Sequence, residues 1–396
     1  MELDFDKLFK IPTKALKIVG IHPFIKKDEK WFFKTLIVFG IYSSVFCLFV
    51  YNIVCYDLKM NNFYQTCQNA VLCIVYLVVA FQYWVLIRHD KSLRQLINYV
   101  KKDYLLTKTL KFSEQSVVEK YAKQGVFVCK QWLVVSIMGT SLFLLKNITL
   151  MLYYYCIDEF RLVHFYELVY PGTIEEYKEN IFVFILMYAY LLSYSTYTSV
   201  MYSAYVPIGP IMMLHACGQL EIVKLQINDL FVELDDEVIR TKLKDVIKRL
   251  QYIYSFVDLI NYVFQIAYEL TMKATTIVLP ITFYELIEAT NRGELSLEFL
   301  TFIVGGLLIS SSPCYYSDLL MDKGEEVRLA LYCCGWELHY NRGARTTIQI
   351  MLLYALRPIA IRTVFRTLCL EALTEDALMN VDESAVQVAT YWANKI

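Results

Sequence analysis

A hydrolytic or metal-dependent site would most readily be built from the five histidines, His22, His89, His164, His215 and His339, but these are scattered along the chain. No HExxH places two imidazoles on one helical face, and there is no GxGxxG, GxxxxGKS/T or GxSxG to cradle a phosphate or expose a nucleophile. Cys333, Cys334 and His339 come nearest to a ligand cluster, yet adjacent cysteines suit a packed helix better than a tetrahedral metal. The eleven cysteines form no CxxC pair. Cys47, Cys73 and Cys129 lie inside apolar runs, so the set reads mainly as small buried hydrophobes, while Cys55 and Cys67 flank one short loop and could be bridged. No catalysis, metal or cofactor is implied.

Polar residues embedded in apolar stretches offer chemistry of another kind. Asp258, Asn261, Gln265, Glu269, Lys273 and Thr276 recur at three- and four-residue intervals, which puts them on one face of a helix. An ionisable group at the centre of a bilayer costs about 2.5–3.5 kcal/mol, so the face either opens onto water or reduces to a Glu269–Lys273 i,i+4 pair, with the rest beyond the membrane. Ser193 to Ser203 is dense in hydroxyls, which can bond across helices for roughly 0.6 kcal/mol apiece. Nearby Phe184, Met187, Tyr188 and Leu191 are uncharged, as suits either a pocket for a small apolar ligand or a lipid-facing stripe.

The elements that carry these residues are membrane helices. The chain of 396 residues is 57% hydrophobic and 19% charged, against roughly 45–50% apolar in soluble domains. A span needs about 20 predominantly apolar residues. Seven segments qualify: Thr35–Tyr56, Thr66–Ile87, Phe127–Leu152, Ile181–Leu214, Ser255–Ile287, Leu297–Tyr316 and Thr346–Leu370. Residues 1–34 lack the compact apolar core of a cleavable signal, so the first span is expected to direct its own insertion. Lysines and arginines crowd residues 1–34, 88–123, 224–249 and 323–345, whereas the intervening loops hold Lys59, then Arg161 and Lys178, then Arg292. Positive residues stay cytoplasmic, which puts the N-terminus inside and, with seven spans, the C-terminus outside. That is the reverse of a seven-helix G-protein-coupled receptor, and DRY and NPxxY are absent too. A net charge near zero gives no nucleic-acid surface. The only glycosylation triplet, Asn147 to Thr149, falls at the outer end of the third span.

The expected organisation is a cytoplasmic segment, 1–34, a seven-helix domain, 35–370, with cytoplasmic helical extensions at 215–254 and 317–345, and an extracellular tail, 371–396. Within Glu221–Leu250, apolar residues recur at helical spacing among charges, a face that needs a partner. From Asp318 to Arg345, Tyr332 and Trp336 stand among Asp322, Glu325, Glu326, Arg328, Arg342 and Arg345, as at an assembly contact. Pro358 must break the last span, because its ring removes a donor and clashes one turn back. Such a break is tolerated only where protein or water satisfies the freed carbonyl.

Three features together resemble the insect odorant receptor family. They are the seven-span layout with the N-terminus inside, the His215-x-Cys217-x-x-Leu220 signature followed by Glu221, and the C-terminal pattern. That pattern joins Cys314-Tyr315, Ala330-Leu331-Tyr332 and Trp336 to Arg345 and Arg357-Pro358, with Leu370-Glu371 beyond. The resemblance implies an all-α membrane protein that is a subunit of an odorant-gated cation channel, acting in a hetero-tetramer with the odorant receptor co-receptor. It places the protein in the plasma membrane of a sensory dendrite, with the pore lined by the seventh helix. Tyr332, Trp336, Arg357, Pro358 and Glu371 fall at assembly or gating positions. The odorant would lie in the outer half of the bundle, where topology nominates Val71, Ile74, Val75, Phe143, Asn147, Phe184, Met187, Tyr188, Leu191, Phe302 and Ile303. A gustatory receptor shares this topology but typically carries a TYhhhhhQF-type motif, which does not occur here, and a transporter would show paired broken helices. The acids Glu375, Asp376, Asp382 and Glu383 depart from the family's apolar final segment, and predict a tail extruded from the membrane.

Overall fold

The computed structural model describes residues 3–158, 161–233, 235–293 and 297–374. Two short helices, α1 (Phe5–Leu8) and α2 (Lys10–Val19), precede α3 (Glu29–Asn52), which ends in a π-helical turn, Ile53–Asp57. Then follow α4 (Phe63–Arg88), α5 (Asp90–Leu106), α6 (Phe112–Cys156), α7 (Thr173–Glu176), α8 (Ile181–Tyr205), α9 (Ile208–Asn228), α10 (Asp236–Asn291), α11 (Leu297–Cys333) and α12 (Arg342–Tyr354). Helix starts are marked by short polar caps: Asp28, Asn62, Asn180, Asp235 and Asn341 each accept a hydrogen bond from a first-turn amide.

Among the described residues, six helical stretches are long and apolar enough to cross a membrane: Glu29–Asp57, Phe63–Arg88, Phe112–Cys156, Ile181–Asn228, Asp236–Asn291 and Leu297–Leu338. Several far exceed a bilayer. At 1.5 Å per residue, the 45 residues of α6 and the 56 of α10 must project beyond it.

The lysine-rich segments all gather at one end. There Lys101 pairs with Asp6 at 2.6 Å, Lys111 with Asp229 at 2.8 Å and Lys224 with Glu326 at 2.9 Å, tying residues far apart in sequence. The signature of α9 forms the core of this end. His215 Nε2 lies 2.8 Å from Asp103 Oδ2, which also accepts from Tyr252 Oη at 2.8 Å, and Cys217 and Leu220 are completely buried. Glu221 accepts from Tyr121 Oη at 2.6 Å. At the lysine-poor end Lys146 meets Glu298 at 3.0 Å, and the segment 161–172 folds inward, burying Phe165, Tyr166, Leu168 and Tyr170. Asn52 holds that segment by exchanging both hydrogen bonds with Val169, at 3.0 and 2.7 Å, and Gln65 donates to Glu167 O at 2.9 Å.

The structure corrects two expectations. Thr346–Leu370 is not one broken span: α12 stops at Tyr354, and residues 355–369 run without helix through an isolated bridge between Arg362 and Thr367 before helix resumes at Leu370. The break therefore falls beside Pro358 as expected, but the chain does not turn helical again at once, because neighbouring helices satisfy its backbone. Asn261 on α10 donates to Ala360 O at 3.2 Å and accepts from Arg362 N at 2.8 Å; Ser317 and Asp318 on α11 accept from Ile361 N and Leu370 N. Glu221–Leu250 divides between the end of α9 and the start of α10, which are separated at 229–235. Cys55 and Cys67 are free thiols, one exposed and one buried. The acidic tail, 375–396, lies outside the described residues.

Gly209 permits the closest approach in the bundle. A Cβ there would lie 1.8 Å from the Tyr268 hydroxyl and 3.1 Å from its ring carbon, and Tyr268 is itself buried. Gly209→Ala should therefore cost about 1–3 kcal/mol through overpacking. A detergent melting curve should show a lowered transition, substantially restored in Gly209→Ala/Tyr268→Phe. A melting temperature unchanged by the single substitution would contradict this packing.

Candidate ligand cavity

Between α4, α6, α8, α10 and α11 lies a cavity of about 170 Å³, to which Tyr166 of the segment 161–172 adds a wall on the lysine-poor side. Its apolar wall includes Leu72, Ile74, Val75 and Val78 from α4, Trp132, Val135 and Phe143 from α6, and Phe302 and Ile309 from α11. Gly305 and Gly306 leave room on α11, where a Cβ on Gly306 would meet Leu279 at 3.4 Å. The periodicity of each helix explains the wall, since residues three and four apart share a face.

Hydroxyl groups interrupt the apolar surface. Thr140 Oγ1 lies 2.6 Å from Ser199 Oγ and 3.2 Å from Ser195 Oγ, and Ser199 Oγ donates to Ser136 O at 2.9 Å. Thr271 and Thr275 contribute two more from α10. Glu298, almost fully buried, completes the wall beside Lys146, which is 41% exposed at its side chain. The segment 161–172 is packed by aromatic edges: Phe165 meets Phe143 and Tyr188, and His164 lies against Tyr170 and Phe184. Burial holds the His164 imidazole below its ordinary range, so it is neutral at pH 7.

Of the residues nominated from sequence, Ile74, Val75, Phe143 and Phe302 line this cavity. Val71, Asn147, Phe184, Leu191 and Ile303 are buried elsewhere in the bundle, and Met187 and Tyr188 are half-buried outside the lining. Helical phase makes the difference: topology gives depth, but one residue is a turn of 100° around the helix. Burial of Asn147 also removes it from glycosylation. Sequence reasoning missed Tyr166, because nothing local shows that a loop folds inward. It also missed Thr271, Thr275 and Val278, although their spacing of four and three residues was visible.

At the lysine-rich end a groove runs between α11 and α12. Leu329, Tyr332, Trp336, Leu352, Leu353 and Leu356 form its floor, with Asp322, Glu325, Glu326, Arg328 and Gln349 beside them. Tyr332 is 66% exposed and Leu353 69%. Trp336 is half-buried, its Nε1 enclosed without an acceptor, while Arg357, Pro358 and Glu371 are exposed. The polar seam of α10 is split. Asn261 binds the 360–362 segment, whereas Asp258 and Lys273 are exposed.

Across protein families, residues 62–377 match the family described as 7tm Odorant receptor. The chain belongs to that odorant receptor family. Among solved structures it is similar to the insect olfactory receptor OR5 from Machilis hrabei, with a TM-score of 0.79 at 15% identity over 96% of this chain and 97% of that one. The same receptor in complex with eugenol matches with a TM-score of 0.78 at 16% identity, over 97% and 98%. At such identity the likeness establishes the fold: an all-α, multi-pass membrane protein built as an insect olfactory receptor. No curated protein matches the chain significantly.

In this odorant receptor, Glu298 is paired with Lys146 at 3.0 Å. Lys146→Met should destabilise the protein by roughly 1–3 kcal/mol, because a nearly buried carboxylate loses that neighbour. Lys146→Met/Glu298→Gln should recover most of the loss. Monodispersity and melting temperature after purification report both, and a single variant as stable as the parent would show the pair to be idle.

Proposed function

We propose that this odorant receptor is the tuning subunit of a ligand-gated cation channel, which takes a small volatile molecule into the cavity and acts with the odorant receptor co-receptor. The cavity carries the reading. It is lined by five helices, mostly apolar, and built into an odorant receptor fold whose relative OR5 has been solved with eugenol. Affinity would come mainly from apolar burial at about 25 cal/mol per Å², which for a small volatile gives micromolar-range binding. Shape then sets selectivity.

Two surfaces support assembly. The groove between α11 and α12 presents exposed leucines and Tyr332 among charges, the composition of a contact that another subunit covers. On α10, Lys273 lies level with the cavity residues Thr271 and Thr275 yet points away from them, and is exposed at membrane depth. A cation there needs water or another subunit, not lipid. In the assembled tetramer the seventh span of each subunit lines the pore, with the N-terminus and the groove on the cytoplasmic side, in the plasma membrane of an olfactory sensory neuron.

Phe143→Ala and Phe302→Ala should each shift the half-maximal concentration of an active volatile by about tenfold or more, equivalent to roughly 1.4 kcal/mol. Met187→Ala, off the lining, should stay within about threefold. Currents from cells expressing each variant with the co-receptor measure this; a volatile-evoked current without the co-receptor would refute the tuning-subunit assignment.

Leu329→Asp/Tyr332→Asp places two carboxylates in the groove. Co-purification of the co-receptor should fall to about a tenth or less, while the variant chain keeps its monodisperse profile. Normal recovery of the complex would place the subunit contact elsewhere.

A further inference from the structure

The hydroxyls of the cavity wall offer lone pairs and few protons. On α10, Thr271 Oγ1 donates to Ala267 O at 2.8 Å and Thr275 Oγ1 to Thr271 O at 2.9 Å, so both protons are held one turn back along their own helix. On the facing wall the directions follow by elimination, because a hydroxyl has one proton and two lone pairs. Ser199 donates to Ser136 O, so at the 2.6 Å contact between Thr140 and Ser199 the proton belongs to Thr140. The Thr140 proton goes to Ser199 at 2.6 Å in preference to Ser195 O at 3.4 Å, so the 3.2 Å contact with Thr140 is donated by Ser195, whose hydroxyl also meets the Tyr166 phenol.

A directed chain therefore runs from Ser195 to Thr140 to Ser199 to a backbone carbonyl, and each of the three oxygens keeps a lone pair for a ligand. Glu298 adds acceptor oxygens and no donor. Ser136, Tyr194, Thr198 and Thr301 also line the wall and donate to backbone carbonyls, which leaves the phenols of Tyr166 and Tyr202 and the indole of Trp132 as its remaining side-chain donors.

Resting on the reading that this cavity takes the odorant, we propose that its ligands are hydroxyl donors: small apolar alcohols or phenols, seated with the hydroxyl against the Thr140–Ser199 chain. A donor adds a hydrogen bond to the wall. An ether or aldehyde of the same size gains one from these hydroxyls only by taking a proton already in use, which exchanges one bond for another. The preference expected from one net hydrogen bond is about three- to tenfold in affinity. An amine has donors as well, but would enter as a cation, and the one carboxylate in the wall already has Lys146.

The test compares octanol, octanal and heptyl methyl ether, each with eight carbons and one oxygen, on the full chain in lipid nanodiscs. Binding is read as depletion of the volatile from the headspace relative to empty nanodiscs. Octanol should bind about three- to tenfold more tightly than either of the others. Thr140→Val should bring the ratios to within about twofold and improve octanal, since it releases the Ser195 proton; a merely structural role would weaken all three alike. Ser199→Ala, which releases the Thr140 proton, is the second variant should the first not fold. Equal binding of the three compounds, tighter octanal or ether, or no binding by any of them overturns the assignment. Currents recorded with the co-receptor separate it from the functional reading. Octanol-selective binding without a current leaves the hydroxyl assignment standing and removes the receptor–channel reading, whereas a current evoked equally by all three does the reverse.

Discussion

A helix with no exposed face has to be enclosed by others, and α9 is such a helix. Every residue from Ile208 to Leu220 is buried, although the stretch includes His215 and Gln219 and lies at the end of the bundle where solvent would be expected. The rest of the lysine-rich end follows from enclosing it: α6, α10 and α11 extend past the membrane so that they can pack around α9. Polar groups brought in with it are satisfied by partners far away in sequence, His215 by Asp103 and Glu221 by Tyr121. Gly209 and Gly218 set how closely the surrounding tyrosines approach.

The two ends of the molecule use different means to the same purpose. At the lysine-rich end, ion pairs and buried aliphatic side chains join helices into a block. At the other, the segment 161–172 is drawn inward by Asn52 and Gln65, which bond to its backbone and so replace the water it would otherwise hold. Aromatic side chains then fill the space above the cavity. A loop satisfied in this way is a wall, and through Tyr166 it forms part of the cavity lining.

The sequence was most legible where a single period decides. Six spans appear close to where apolar length placed them, and the alternation of lysine-rich and lysine-poor loops sorts into the two ends of the bundle. It was least legible where tertiary partners override local preference. Nothing in residues 355–369 announces that Asn261, Ser317 and Asp318 will take over its backbone hydrogen bonds, so the stretch reads as a broken span. The cavity lay between these cases. Apolar content and depth point to Ile74, Val75, Phe143 and Phe302, but the phase of α8 turns Ser195 and Ser199 inward and leaves Met187 off the lining. Tyr166 required knowing where a loop goes.

One further consequence comes from α10, a single helix of 56 residues. It lines the cavity at Thr271 and Thr275, and ten residues before Thr271 it grips the backbone of 360–362 through Asn261. No proline interrupts it between those levels, since its only one is Pro280. The helix is therefore a torsion bar: it cannot turn at the cavity and stay still about 15 Å away. A twist of about 10° moves a side-chain atom some 5–6 Å from the axis by roughly 1 Å, enough to draw Asn261 away from Ala360 and Arg362 and to loosen the chain where it sets out toward its last helix.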